Sequence, residues 1–159
     1  MSTDDLLSPS LRDRQEAEAR PPWRLSSQVW IGLLGGALPV TVIGWLNAER
    51  QGLERERRTW ILVWGAVGVA LTLLAVGWAV VASRGDASAQ RTWTRLASRA
   101  VGLLTYLAIS RVQAPADRAF RLFDGRPYAS LWGPGTAAVL LLGMLQALGA
   151  MALTRWVAQ

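Results

Sequence analysis

The chain lacks cysteine and histidine altogether, and because all 17 of its basic residues are arginine it lacks lysine as well. Those absences exclude disulfides, thiolate or imidazole metal ligation, a thiol nucleophile and the usual imidazole base. Charge is missing too over long stretches: no Asp, Glu, Lys, Arg or His occurs from Leu25 to Ala48, from Thr59 to Ser83, or from Pro127 to Thr154. Proton-coupled transport, voltage sensing and redox carriage generally need such ionisable or ligating groups at membrane depth, and these runs supply none of those five residue types. A phosphate-cradling glycine loop, a G-x-S-x-G elbow and paired carboxylates at membrane depth are absent as well. The expectation is a non-enzymatic protein without metal or cofactor.

What is present is apolar: 52% of the 159 residues are hydrophobic, and the formal charge is +6. At ~1.5 Å per residue, each uncharged run exceeds the ~20 residues that cross a bilayer core. The sequence therefore predicts an all-α membrane protein with three transmembrane helices, at about 27–47, 59–82 and 132–154, in one domain covering 25–159. Tryptophans bracket the runs, Trp30 and Trp45 the first, Trp60, Trp64 and Trp78 the second, Trp132 and Trp156 the third. Amphipathic rings prefer the headgroup region. Pro134 suits a helical first turn. Residues 1–24 are polar, close on the Pro21-Pro22 pair, and read as a mobile cytoplasmic tail rather than a secretory signal.

Between the second and third runs the longest uncharged stretch, Ala100 to Ser110, has about half the length of a span. On a helical wheel Arg91, Arg95, Arg99, Gly102, Tyr106 and Gln113 share one side, and Trp93, Leu96, Leu103, Leu104 and Leu107 the other. A second short amphipathic helix is predicted to start at Pro115, with Phe120 and Phe123 opposite Arg118 and Arg121. The region 88–123 is thus read as interfacial, with arginine on its wet face. The alternative is a four-helix transmembrane bundle in which 92–113 is a fourth span with its polar face packed inside. Arginine placement favours three spans, which divide the 17 arginines 12 to five across the membrane, against nine to eight for four spans. Cytoplasmic enrichment in arginine then puts the amino terminus inside.

Most of the excess positive charge falls in 84–126, so anionic lipid, or a partner, is expected to meet Arg91, Arg95, Arg99, Arg118 and Arg121. Nucleic acid is not expected, because no aromatic-interleaved basic surface appears. Small residues at helical spacing mark candidate packing faces: Gly32 and Gly36, Ala66 and Ala70, Gly143 and Ala147. Gln146 carries an amide that its own helix cannot satisfy and should seek another helix.

The first run ends in Asn47 followed by Arg50 and Gly52. Gln113 and Arg121 come later, before Gly125-Arg126-Pro127-Tyr128-Ala129-Ser130-Leu131-Trp132 at the entry to the last helix. In this the chain resembles a type of small bacterial multi-span membrane protein. The resemblance implies a bacterial plasma-membrane protein and assigns no site. The functional expectation is an accessory or structural subunit that packs with other membrane helices. The alternative is a small homo-oligomeric channel or carrier lined by Gln146, Thr72 and the glycine faces.

Overall fold

The computed structural model describes residues 20–83, 86–124 and 126–157. Residues 1–19 of the expected tail lie outside them. The described chain is all-helical: a 3-10 turn at Leu25–Gln28, then α1 (Val29–Gly35), α2 (Ala37–Arg50), α3 (Arg55–Ala82), α4 (Ala87–Phe123) and α5 (Trp132–Val157). Two helices are long and apolar enough to cross a membrane, α3 over Arg55–Ala82 and α5 over Trp132–Ala152.

The first apolar run is not the single span expected at 27–47. It breaks at Gly36, whose φ of 84° and ψ of −161° suit glycine alone, since a Cβ would clash in that conformation. Gly36 N–H closes α1 on the Gly32 carbonyl, and α2 restarts at Ala37 with Pro39 in its first turn, where a missing N–H costs no helical bond. The two helices fold back on each other. Trp23 and Asn47 would lie about 36 Å apart in a continuous helix, yet the Trp23 N–H donates to Asn47 Oδ1 at 2.7 Å. The run therefore enters the bundle, turns at Gly36 and leaves by the same end.

At that end α2 stops in a Schellman turn. Gly52, at φ 64°, donates to the Glu49 carbonyl and Leu53 N–H to that of Ala48. Leu53 and Ala48 then join Ile61 and Ile109 in one apolar cluster. The other cluster joins Trp23, Ile31, Val40 and Ile43 to Leu131 and Ala138 at the start of α5.

The 88–123 region also departs from expectation. It is one helix, α4, and Pro115 lies inside it rather than at the start of a second. Proline there removes a bond to the Arg111 carbonyl, close to the end of the bundle. Asp86 caps α4, accepting from the amides of Ser88 at 2.8 Å and Ala89 at 3.2 Å. The helix runs antiparallel to α3, from the edge-to-face pair Trp78–Trp93, centroids 6.3 Å apart, to the cluster that holds Ile61 and Ile109. From Gly102 onward its polar face turns inward: Gly102, Thr105, Ile109, Gln113 and Asp117 are buried, whereas Trp93, Leu96, Leu104 and Leu107, like Arg91, Arg95 and Arg99, are exposed. That is the inverse of an interfacial helix. α4 and α5 stand apart, joined through the α1–α2 hairpin that packs on both.

Candidate functional site

Two polar constellations organise the interior, one at the open end of the hairpin and one at its tip. At the open end Asn47 and Gln113 are both fully buried. Asn47 Nδ2 donates to Gln113 Oε1 at 2.8 Å, and Gln113 Nε2 donates to the Gly44 carbonyl at 2.8 Å. With the Trp23 N–H on Asn47 Oδ1, the two amides tie the entering strand, α2 and α4 into one network. Buried amides carry a large cost when unpaired, and here four polar groups satisfy one another.

The segment before α1 straps this end. Trp23 is only 3% exposed, Arg50 stacks on its ring at 3.8 Å and donates to the Pro21 carbonyl, and Ala129 N–H donates to the Pro22 carbonyl at 3.0 Å. Trp23 and Ala129 form an isolated parallel bridge. Residues read as the end of a tail are thus part of the core. Nearby, buried Asp117 accepts from the Tyr128 hydroxyl at 3.0 Å and faces Arg121 at 3.4 Å one helical turn away. Burial and then the Asp117 carboxylate push the Tyr128 hydroxyl above the usual phenol range. Gln28, 1% exposed, leaves its amide nitrogen without a partner among the described residues. A shallow groove of about 710 Å³ lies beside this end, with Phe120, Phe123 and Ala116 on its apolar wall and Arg126 and Asp124, which pair with each other, at its rim.

At the tip, Gln146 reaches from α5 and its Oε1 accepts the Leu38 N–H at 3.0 Å. This amide hydrogen belongs to the first turn of α2 and has no intrahelical partner, so the side chain caps the broken helix. The space is tight: a Cβ on Gly36 would lie 2.8 Å from Gln146 Nε2, and one on Gly32 would lie 2.7 Å from the Gly102 carbonyl oxygen. Gly102 in turn has no room for a Cβ against Gly32 and Gly36.

The predicted packing residues divide accordingly. Gly32, Gly36 and Gln146 meet at the tip, and Gly143 lies 3.7 Å from Gly35 by the same measure. Ala66, Ala70 and Ala147 are exposed. The contact face of α3 is carried instead by Gly65 and Gly68, which leave room only for Thr41 and Thr105. Thr72 is tied to the Gly68 carbonyl of its own helix.

The five arginines expected to share a surface do not. Arg118 and Arg121 are exposed at the open end, and Arg91, Arg95 and Arg99 at the opposite end of α4. About 45 Å of helix separates Arg91 from Arg121. Sequence reasoning assigned no role to Trp23, Gln28 or Gly102. Asn47 closing an apolar run and Gln113 within a polar helical face were the available signals. Comparison with protein-family models, with curated proteins and with solved structures gives no match.

Proposed function

We propose that the chain is a non-enzymatic integral membrane protein of the bacterial plasma membrane. In this reading α3, α4 and α5 cross the bilayer, the α1–α2 hairpin enters and returns, and the molecule serves as an accessory or structural subunit. The carrying observation is the display of large apolar side chains on the outside of α3 and α5, among them Leu71, Leu74, Trp78, Leu141, Leu145 and Leu148, while amides and hydroxyls are turned inward. A water-soluble fold would reverse that arrangement. α4 crosses because it accompanies α3 along its length, and its polar inner face explains why its composition alone does not mark it as a span.

The dimensions agree with this. From Gly36 to Asn47 α2 rises about 16 Å, and α4 extends about 22 Å beyond Gly102 in the opposite direction. Together these exceed the ~30 Å hydrocarbon thickness and put the hairpin tip near mid-depth. Irregular backbone at that depth is tolerated where protein buries it, as Gln146 and Gly102 do at Gly36. Arginine gives the orientation. Among the described residues Arg20, Arg24, Arg50, Arg55, Arg57, Arg58, Arg111, Arg118, Arg121 and Arg126 lie towards the open end, against Arg91, Arg95, Arg99 and Arg155 at the other. Positive-inside placement makes the open end, with the entry to α1, cytoplasmic.

As an accessory subunit the protein holds anionic lipid or a partner through its exposed arginines. Extraction in native lipid particles followed by intact mass analysis tests this. A stoichiometric foreign subunit or retained anionic lipid supports it, and a homo-oligomer free of both overturns it.

A further inference from the structure

The α1–α2 hairpin fills the space among α3, α4 and α5 only as far as Gly36, while all three helices continue. Past the tip α3 extends about 21 Å from Gly68, α4 about 22 Å from Gly102 and α5 about 16 Å from Gln146. The face of α4 that meets the hairpin through Gly102, Ile109 and Gln113 continues beyond the tip as Arg99, Arg95 and Arg91, within about 60° of Gly102 on the helical wheel. These arginines are exposed because the element that covers the same face higher up has ended. None has a carboxylate partner among the described residues; the ion pairs found are Arg121–Asp117 and Arg126–Asp124.

One further donor lies at the tip: Gln146 accepts the Leu38 N–H with its oxygen, and its amide nitrogen has no hydrogen bond of its own among the described residues. Because α4 and α5 stand apart, the space opens sideways between them. Its rim is apolar and exposed, Trp93 and Leu96 on α4 and Leu148 and Met151 on α5.

We propose that this cleft beneath the hairpin tip binds the phosphate headgroup of an anionic phospholipid. The lipid enters through the α4–α5 gap from the leaflet at the Arg91 end, lays its chains against the rim and sets its phosphodiester on Arg91 and Arg95, about 16 Å and 10 Å from the tip along α4, whose side chains reach outward to the headgroup level. An unpaired guanidinium inside a bilayer is costly, and a phosphate accepting its N–H groups removes that cost. Lateral access and the apolar rim favour a lipid over a water-soluble anion. The proposal rests on the membrane reading above and names the lipid site within it.

Native mass spectrometry of the purified full chain in detergent tests it, with phosphatidylglycerol, phosphatidylcholine and inorganic phosphate as probes. One phosphatidylglycerol should be retained in preference to phosphatidylcholine. Arg91→Gln with Arg95→Gln should weaken retention at least about tenfold, Arg91→Lys with Arg95→Lys should keep most of it, and Arg118→Gln with Arg121→Gln should leave it unchanged. The substituted side chains are exposed, and an unaltered melting temperature verifies that each variant folds. Equal retention of both lipids, or displacement of phosphatidylglycerol by millimolar inorganic phosphate, overturns the proposal. Retention that depends on Arg118 and Arg121 overturns it while leaving lipid binding by the protein in place. Retention insensitive to every one of these arginines removes both.

Discussion

The Trp23 amide donates to the Asn47 side chain across 24 residues of sequence, so the two ends of the first apolar run meet at one end of the bundle. That contact makes the run a hairpin, and in the proposed topology the run enters and leaves on one side.

Cysteine labelling checks the consequence directly, because the natural chain has none. Single cysteines at Ser26 and Glu54 should react from the same side of sealed vesicles, and one at Ser88 from the other. A spanning first run would instead place Ser26 and Glu54 on opposite sides.

Replacing Gln113 by leucine strands Asn47 Nδ2 in a fully buried site, while the Gly44 carbonyl keeps the bond of its own helix. An unsatisfied group costs about 1–3 kcal/mol. The melting temperature in detergent should fall well below that of Ser110→Leu on the same helix, and equal melting of the two variants would remove the network from the account of stability.

At the tip, Gly102→Ala and Gly36→Ala should both be strongly destabilising, the first for lack of room and the second because φ is positive. Gly77→Ala, in open space within a helix, should be neutral or stabilising by about 0.5–1 kcal/mol. Denaturation of the three variants side by side distinguishes a packed tip from a loose one.

Gln146→Leu removes the cap on Leu38 N–H and should speed hydrogen exchange at Leu38 and Val40. Ala147→Leu, on the exposed face, should leave both amides protected.

The start of α4 should respond to acid. The Ser88 hydroxyl and then the Ser88 and Ala89 amides hold the Asp86 carboxyl below its ordinary range. Its folded-state pKa is depressed, so capping is complete above the ordinary carboxylate value and is lost as pH falls through the lowered one. Amide exchange at Ser88 and Ala89 should accelerate only at strongly acidic pH, and Asp86→Asn should abolish that pH dependence.

Some of this was legible in the residues. The length of the uncharged runs carried the helical class and the location of α3 and α5. The two-sided wheel of 92–113 was read correctly as a pattern, with Gly102, Tyr106 and Gln113 on one side. Which side faces protein was not in the pattern, because arginine and glutamine suit water, a headgroup or a buried amide partner equally well. Ala66 and Ala70 illustrate the same limit: their spacing matches a packing face, but rotation of α3 presents Gly65 and Gly68 instead.

Sequence alone determined helicity, apolar length and the positions of turn-forming residues, since these depend on local sterics and on transfer from water. Tertiary structure decided that Gly36 ends a helix instead of sitting within one, that Pro115 does not end one, and that Asn47 and Gln113 form a pair. The first and last of those outcomes depend on partners far away in the chain: Gln146 to cap the break, Gly102 to admit the tip, and the Trp23 amide to complete the network. A backbone break or a buried amide is affordable only where such a partner supplies the missing hydrogen bond, and no local pattern records where it will come from.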